Sequence, residues 1–306
     1  MNRILVIRGG AIGDFVLTLP ALKLLREGFP RARLEVLSYK HIAALADNRF
    51  YADAVRSIES GTLARFFARN PELPTELRGY FGGFDLIVSY LYDPDGIFAD
   101  SVGRCGKARF VVGPSTPDQN SHAALQLARP LEPLGLAPAN PAAYLYPTNA
   151  DRAAVAHFRR DASTIVFHPG SGSKTKNWPI ENWRRLGSDL LFRGRNLLVV
   201  GGEADAERLS DLRRTWNGEA VQFAENLALP HLAALIEACA FVGHDSGVSH
   251  IAAAVGARCV LLFGPSNPAV WAPANQNVTV LRAPDAKMDS LSFHDVEALV
   301  PSAGNG

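Results

Sequence analysis

Short runs of β-branched and apolar residues recur along the chain, and each is followed by a glycine-rich or polar turn and then an amphipathic segment. That alternation predicts parallel strands joined by helices. In the first half the runs cover residues 4–7, 34–37, 86–89 and 110–112. The second half restarts the pattern at 165–167, 197–200, 221–223, 241–243, 259–263 and 278–281. Helices are predicted over 17–28, stopped by Gly28 and Pro30, and over 180–192, stopped by Gly194. Two more are predicted over 230–240 and 249–255, the last stopped by Gly256. Between the halves, residues 136–151 carry Pro138, Pro141 and Pro147 and little apolar periodicity, a composition that resists helix and central strand alike. The chain is therefore expected to form two α/β domains, 1–148 and 149–306.

Composition narrows the function classes. With 47% hydrophobic and 20% charged residues, the 306-residue chain is neither disordered nor a low-complexity repeat. A formal net charge of +1 provides no global field for nucleic acid, which is not an expected partner. The 3 cysteines, Cys105, Cys239 and Cys259, are scattered and lack C-x-x-C spacing, so neither a disulfide framework nor a zinc site is indicated. A reducing cytoplasm is the expected compartment. Arg8 and Asp14 interrupt the N-terminal apolar stretch, which is therefore expected to remain in the mature protein rather than act as a signal peptide. No run approaches the roughly 18 apolar residues of a membrane span, leaving peripheral membrane contact as the expected limit.

Three strand-to-loop junctions carry candidate chemistry. The first strand enters Arg8-Gly9-Gly10-Ala11-Ile12-Gly13-Asp14, where glycines permit close approach and the following helix offers unpaired N–H groups. Arg8 stands where a dinucleotide fingerprint needs its first glycine, so that motif is weak despite Glu35, placed at the end of the second run where a ribose-binding acid would sit. Asp14 admits two readings: the N-cap of the following helix, or a general base at a strand end facing an interdomain cleft.

The second junction is Phe167-His168-Pro169-Gly170-Ser171-Gly172-Ser173-Lys174-Thr175-Lys176-Asn177-Trp178-Pro179. Backbone N–H groups, hydroxyls and ammonium charge there suit phosphate oxygens. Ser173 replaces the glycine that a Walker A loop requires before Lys174, so NTP hydrolysis is not supported. The third, Gly243-His244-Asp245-Ser246-Gly247-Val248-Ser249-His250, repeats the logic, with Asp245 and Ser246 as caps and Gly247 opening a small-residue helix. A further loop, Gly264-Pro265-Ser266-Asn267-Pro268, follows another strand. Several such loops on one sheet edge point to a phosphate-bearing ligand in the second half. By contrast, Asp93-Pro94-Asp95-Gly96 reads as a turn rather than a metal-chelating D-x-D, and His244 and His250 lack partners at zinc spacing. No metal and no cofactor are expected.

Taken in order, G-A-I-G-D-x-x-L-T-L-P-A-L, H-P-G-S-G-S-x-x-K-N-W-P-x-x-x-W, V-V-G-G-x-x-D-x-E, and D-S-G-V-S-H-I-A-A-A followed by F-G-P-S-x-P resemble glycosyltransferase family 9. Its best-known members are the ADP-heptose:lipopolysaccharide heptosyltransferases. The resemblance runs from residue 1 to about 282 and is weak over 50–150. It implies a GT-B architecture, two Rossmann-like domains facing a central cleft, with the acceptor on the N-terminal domain and the nucleotide sugar on the C-terminal one. It also implies Asp14 as base and Lys176 as the group neutralising the leaving diphosphate. His168, Gly170, Ser171, Gly172, Ser173, Asp245, Ser246, Gly247 and His250 would lie on the donor, with Glu203 or Glu207 on its ribose. Gly10 and Gly13 would shape the acceptor-side loop.

The expected reaction is metal-independent, inverting transfer of a sugar, with ADP-heptose as the expected donor, to a glycan or lipid-linked acceptor of lipopolysaccharide-core type. Arg104, Lys107, Arg109 and His122 are candidates for binding an anionic acceptor. The expected place of action is the cytoplasm or the inner membrane face. The competing expectations are a catalytically silent nucleotide-sugar-binding protein and an NAD(P)-dependent oxidoreductase that uses Glu35.

Overall fold

All ten apolar runs form strands, and an eleventh strand appears where no run exists. In the computed structural model, which describes residues 1–300 apart from 70, 71, 138, 139, 162, 217 and 219, these strands build two parallel sheets. The first holds β1 (Arg3–Ile7), β2 (Arg33–Ser38), β3 (Ala54–Ser57), β4 (Leu86–Ser89) and β5 (Arg109–Val112), in the order β3-β2-β1-β4-β5. The second holds β6 (Thr164–His168), β7 (Asn196–Gly201), β8 (Val221–Glu225), β9 (Ala240–His244), β10 (Arg258–Phe263) and β11 (Val278–Arg282), in the order β11-β10-β9-β6-β7-β8.

A parallel sheet needs helical crossovers, and these cover its faces and turn its strands into continuous apolar runs. On β6, Ile165 and Phe167 join one buried cluster with Trp183 and Leu186 from the helix Ile180–Phe192. Val166, pointing the other way, joins a second cluster with Leu232 and Ile236 from the helix Leu229–Ile236. Burying each such side chain contributes about 1.5–3 kcal/mol, so a polar residue at 165, 166 or 167 would remove the reason for the strand.

The chain divides into two units, Met1–Pro141 and a second beginning at Ala142. The break therefore precedes the one expected at 148/149 by several residues. The reason is local: Leu145 donates its N–H to the Ala254 carbonyl at 2.9 Å, and Asn275 Nδ2 donates to the Ala143 carbonyl at 2.8 Å. Ala142, Ala143 and Leu145 are also buried. The proline-bearing stretch is thus partly absorbed by the second unit; its Pro138 lies outside the described residues.

In each sheet the connections run first to one side of the opening strand and then to the other. This creates a switch point, between β1 and β4 in the first unit and between β6 and β9 in the second. Open α/β sheets bind ligands outside the carboxyl ends of the strands at such points. Among the described residues, no helix is long and apolar enough to cross a membrane.

Candidate functional site

Asp14 lies at the switch point of the first sheet. The helix there runs Ile12–Gly28 and starts earlier than the predicted 17–28, with Gly13 inside its first turn. Ala11 occupies the N-cap position, and Asp14, three residues on, accepts the Ala11 N–H through Oδ2 at 2.9 Å. The carboxylate therefore caps the helix from its first turn rather than as the N-cap residue itself. Gly10 makes room for it: its φ of +93° favours glycine, and a Cβ there would lie 2.7 Å from Asp14 Oδ2. Arg8 sits beneath, with Nη2 3.2 Å from Asp14 Oδ1. About a third of the Asp14 side chain remains exposed.

The second switch point is flanked by the loop after β6 and the loop after β9. His244, fully buried at the end of β9, accepts the Trp178 N–H at Nε2 (2.9 Å) and pairs with the Gly170 carbonyl through Nδ1 (3.2 Å). Because Nε2 accepts, Nδ1 must carry the proton. Burial pushes the His244 pKa down to about 3, with the Gly170 hydrogen bond opposing the fall. Arg208 grips the same loop, donating from Nε to the Pro169 carbonyl at 2.8 Å and from Nη2 to the Trp178 carbonyl at 2.6 Å. Inside the loop, Ser171 Oγ donates to the Ser173 carbonyl at 2.7 Å. The segment 169–178 is thus fixed before any ligand arrives.

Asp205 joins this loop to its neighbours. Its Oδ2 accepts the Gly202 N–H at 2.9 Å and lies 3.4 Å from His168 Nε2, while His168 Nδ1 lies 3.3 Å from Ser246 Oγ. Burial raises the Asp205 pKa, but hydrogen bonding and charge from His168, the Gly202 N–H and Arg208 hold it below the usual carboxylate value. Ser246 caps the helix Gly247–Ala254, accepting the Ser249 N–H. Lys176 ends the phosphate-type loop and donates from Nζ to Asp245 Oδ2 at 2.6 Å. A cavity of about 470 Å³ opens beside the loop; Ser171, Gly172, Ser173, Lys174, Glu207 and Arg208 are among the residues lining it.

The residues singled out in the sequence therefore divide. Lys176, Asp245, Ser246 and Gly247 come together across the second switch point, and Ser171 to Ser173 share a cavity with Glu207. Glu203 lies in the turn Glu203–Asp205 and does not line that cavity. His168 is 3% exposed with both ring nitrogens engaged, and His250 is 5% exposed inside its helix. Gly170 packs directly on Asp205.

Glu35 departs from its expected place. It lies in mid-strand on β2, buried, and accepts the Tyr80 hydroxyl at 2.7 Å instead of facing a ligand. Asp93 forms the expected turn, its carboxylate accepting the Phe98 and Ala99 N–H groups. His122 caps the helix Ala123–Ala128, and Arg109 donates to the Pro133 carbonyl. Among the described residues no group of three His, Cys, Asp or Glu side chains is placed to hold a metal. Sequence reasoning missed Asp205 and Arg208 as site residues, because His168, Pro169 and Trp178, which they engage, are distant in the chain, and it missed the pairing of Arg8 with nearby Asp14.

The model for glycosyltransferase family 9 (heptosyltransferase) matches residues 122–300. Lipopolysaccharide heptosyltransferase 2 of Salmonella typhimurium is 33% identical over 124 residues, 39% of this chain and 36% of that protein. The chain spans 36–40% of the length of the first curated relatives it matches. Among solved structures, a family 9 glycosyl transferase from Veillonella parvula superposes with a TM-score of 0.81 at 20% identity, over 98% of this chain and 97% of that one. The E. coli heptosyltransferase WaaC with ADP gives 0.75 at 19% identity, over 97% and 98%. At these identities the likeness establishes the fold, two Rossmann-like units of GT-B type.

Proposed function

We propose that this chain, which belongs to glycosyltransferase family 9, transfers a heptose from ADP-heptose to a lipopolysaccharide-core or related glycan acceptor, inverting the anomeric configuration. The observation that carries the proposal is the placement of Asp14 and Lys176: each follows a strand that borders its sheet's switch point, and each keeps part of its side chain exposed.

In this reading the second unit holds the nucleotide sugar. Lys176 leaves Asp245 for the diphosphate, whose remaining charge is met by the Ser171–Ser173 loop and the N-terminus of the helix Gly247–Ala254. Glu207, on the cavity wall, takes the ribose in preference to Glu203. His168, Gly170 and His250 belong to the donor site as its frame rather than as its contacts.

The first unit takes the acceptor, with Gly10 and Gly13 shaping the loop beside Asp14. Arg69 and Arg104 line a cavity of about 350 Å³ in that unit, where Asp95 and Asp100 match their charge. Asp14 removes the proton from the acceptor hydroxyl as its oxygen bonds to the anomeric carbon. The bond from that carbon to the diphosphate oxygen breaks, and ADP leaves with the electron pair. Lys176 and the loop amides balance the charge that develops, so no cofactor is invoked.

Mixing the protein with ADP-heptose and a heptose-deficient core acceptor tests the proposal. Wild type should yield ADP and extended acceptor. Asp14→Asn should keep the ADP-induced rise in melting temperature while losing about 10³-fold or more in turnover, within the range ascribed to a general base. Near-normal turnover by Asp14→Asn would overturn the assignment of the base. An absent ADP shift in wild type would overturn the donor.

A further inference from the structure

Arg8 is 2% exposed, an unusual place for a guanidinium, which survives burial only when its charge and donors are met. Its contacts converge on one neighbour. Nη2 stands 3.2 Å from Asp14 Oδ1, and Nε donates to the Asp14 backbone carbonyl at 3.4 Å. Nη1 donates to the Ser115 carbonyl at 3.0 Å, tying in the loop after β5, and the guanidinium carbon lies 5.9 Å from the centre of the Tyr90 ring. Tyr90 is itself anchored, its hydroxyl donating to the Leu127 carbonyl at 2.7 Å.

The two oxygens of Asp14 are therefore unequal. Oδ2 is occupied by the Ala11 N–H. Oδ1 faces Arg8 as an ion pair, but Nη2 makes no directed hydrogen bond, so the lone pairs of Oδ1 remain available to a proton. We infer that Arg8 is the positioning residue of the reaction: its rigid fork holds the Asp14 carboxylate with Oδ1 presented as the accepting atom and supplies the counter-charge that keeps it ready. The inference rests on the reading of Asp14 as base. A lysine would keep the charge but not the fork, since an ammonium cannot reach the Asp14 carboxylate, the Asp14 carbonyl and Ser115 with one planar group. The charged or titratable groups on this side of Asp14 are Arg8 itself and, behind it, Tyr90, which burial keeps un-ionised.

The test compares Arg8→Met and Arg8→Lys with wild type in the full chain, recording melting temperature, KM for ADP-heptose, and kcat. Misplacing a catalytic group by about 1 Å costs roughly 10²-fold, so kcat should fall about 10²-fold in Arg8→Met and about tenfold in Arg8→Lys, with KM for ADP-heptose unchanged. A role confined to stability would lower the melting temperature and leave kcat alone. A kcat within about threefold of wild type in either variant overturns the inference, since a 1 Å displacement should cost far more. Should Arg8→Met fail to fold, Arg8→Lys decides by the same criterion. If Asp14→Asn is inactive while the Arg8 variants are normal, only this inference falls; if Asp14→Asn is active, the base assignment itself falls.

Discussion

Gly170→Ala asks whether the phosphate-type loop is held as tightly as its contacts imply. A Cβ on residue 170 would lie 1.6 Å from Asp205 Oδ1 and 2.4 Å from its Cγ. Neither side can yield cheaply, since His244 and Arg208 anchor the loop and Asp205 sits in a turn closed by its own bond to Gly202. Asp205 must swing away, giving up the Gly202 N–H at 2.9 Å and the longer His168 contact at 3.4 Å. Hydrogen bonds to a charged group are worth about 1.5–3 kcal/mol each, and with the second contact long the loss should come to about 3 kcal/mol. For a unit of this size that lowers the melting temperature by about 6–12 °C. Intrinsic tryptophan fluorescence is the natural readout, because all 4 tryptophans, Trp178, Trp183, Trp216 and Trp271, lie in the second unit. The cause is isolated by a double-mutant cycle: if the clash with Asp205 is responsible, adding Gly170→Ala to Asp205→Ala should cost little more than Asp205→Ala alone. Equal costs in the two backgrounds, or a single variant melting within about 2 °C of wild type, would refute the reasoning.

Two further outcomes follow from the second unit. His244 has its pKa depressed to about 3 from an ordinary 6.5, so between those values the unfolded chain binds the extra proton and stability falls as pH falls. At pH 5 that amounts to about 2 kcal/mol, and urea unfolding at pH 7 and pH 5 should show this excess loss in wild type but not in His244→Gln, whose amide can still accept from Trp178; parallel losses would count against it. Lys176→Ala should reduce kcat/KM for ADP-heptose by about 10²–10³-fold, on the scale of removing one donor to developing charge, and a reduction under about fivefold in a coupled ADP-release assay would argue that the diphosphate is held elsewhere.

The sheets were legible because both faces of each central strand are covered. Ile4 to Ile7 and Ile165 to Phe167 are all essentially inaccessible to solvent, and a doubly buried strand must be an unbroken apolar run. β3 escaped for the converse reason: its AVRS is an edge strand of intermediate burial throughout and carries no such run. The helix Ala206–Thr215 escaped because most of its residues are polar or charged and only Leu209 and Leu212 are buried. The early start of the Asp14 helix was hidden by Gly13, which reads as loop although the helix includes it. The misses differ in origin: β3 rests on tertiary pairing that its own residues do not signal, whereas residues 206–215 are good helix formers with a narrow apolar face.

For the site, residue type marked the loops but not the division of labour within them. His168 and Gly170 read as ligand contacts, yet one spends both ring nitrogens on Asp205 and Ser246 and the other exists to admit Asp205. That division sets how the site must work. Once His244, Arg208 and Asp205 hold the backbone around the second switch point, adjustment falls to side chains that retain exposure; of the loop's two lysines, Lys174 is exposed and Lys176 is bound to Asp245 at 2.6 Å. On the proposed function, a diphosphate has to compete with Asp245 for the Lys176 ammonium. It would do so through its greater charge and the amides and hydroxyls that Asp245 alone cannot engage. Asp245→Asn should accordingly bind ADP more tightly while Lys176 remains, whereas weaker binding would mean that Asp245 serves the ligand directly instead of parking the lysine.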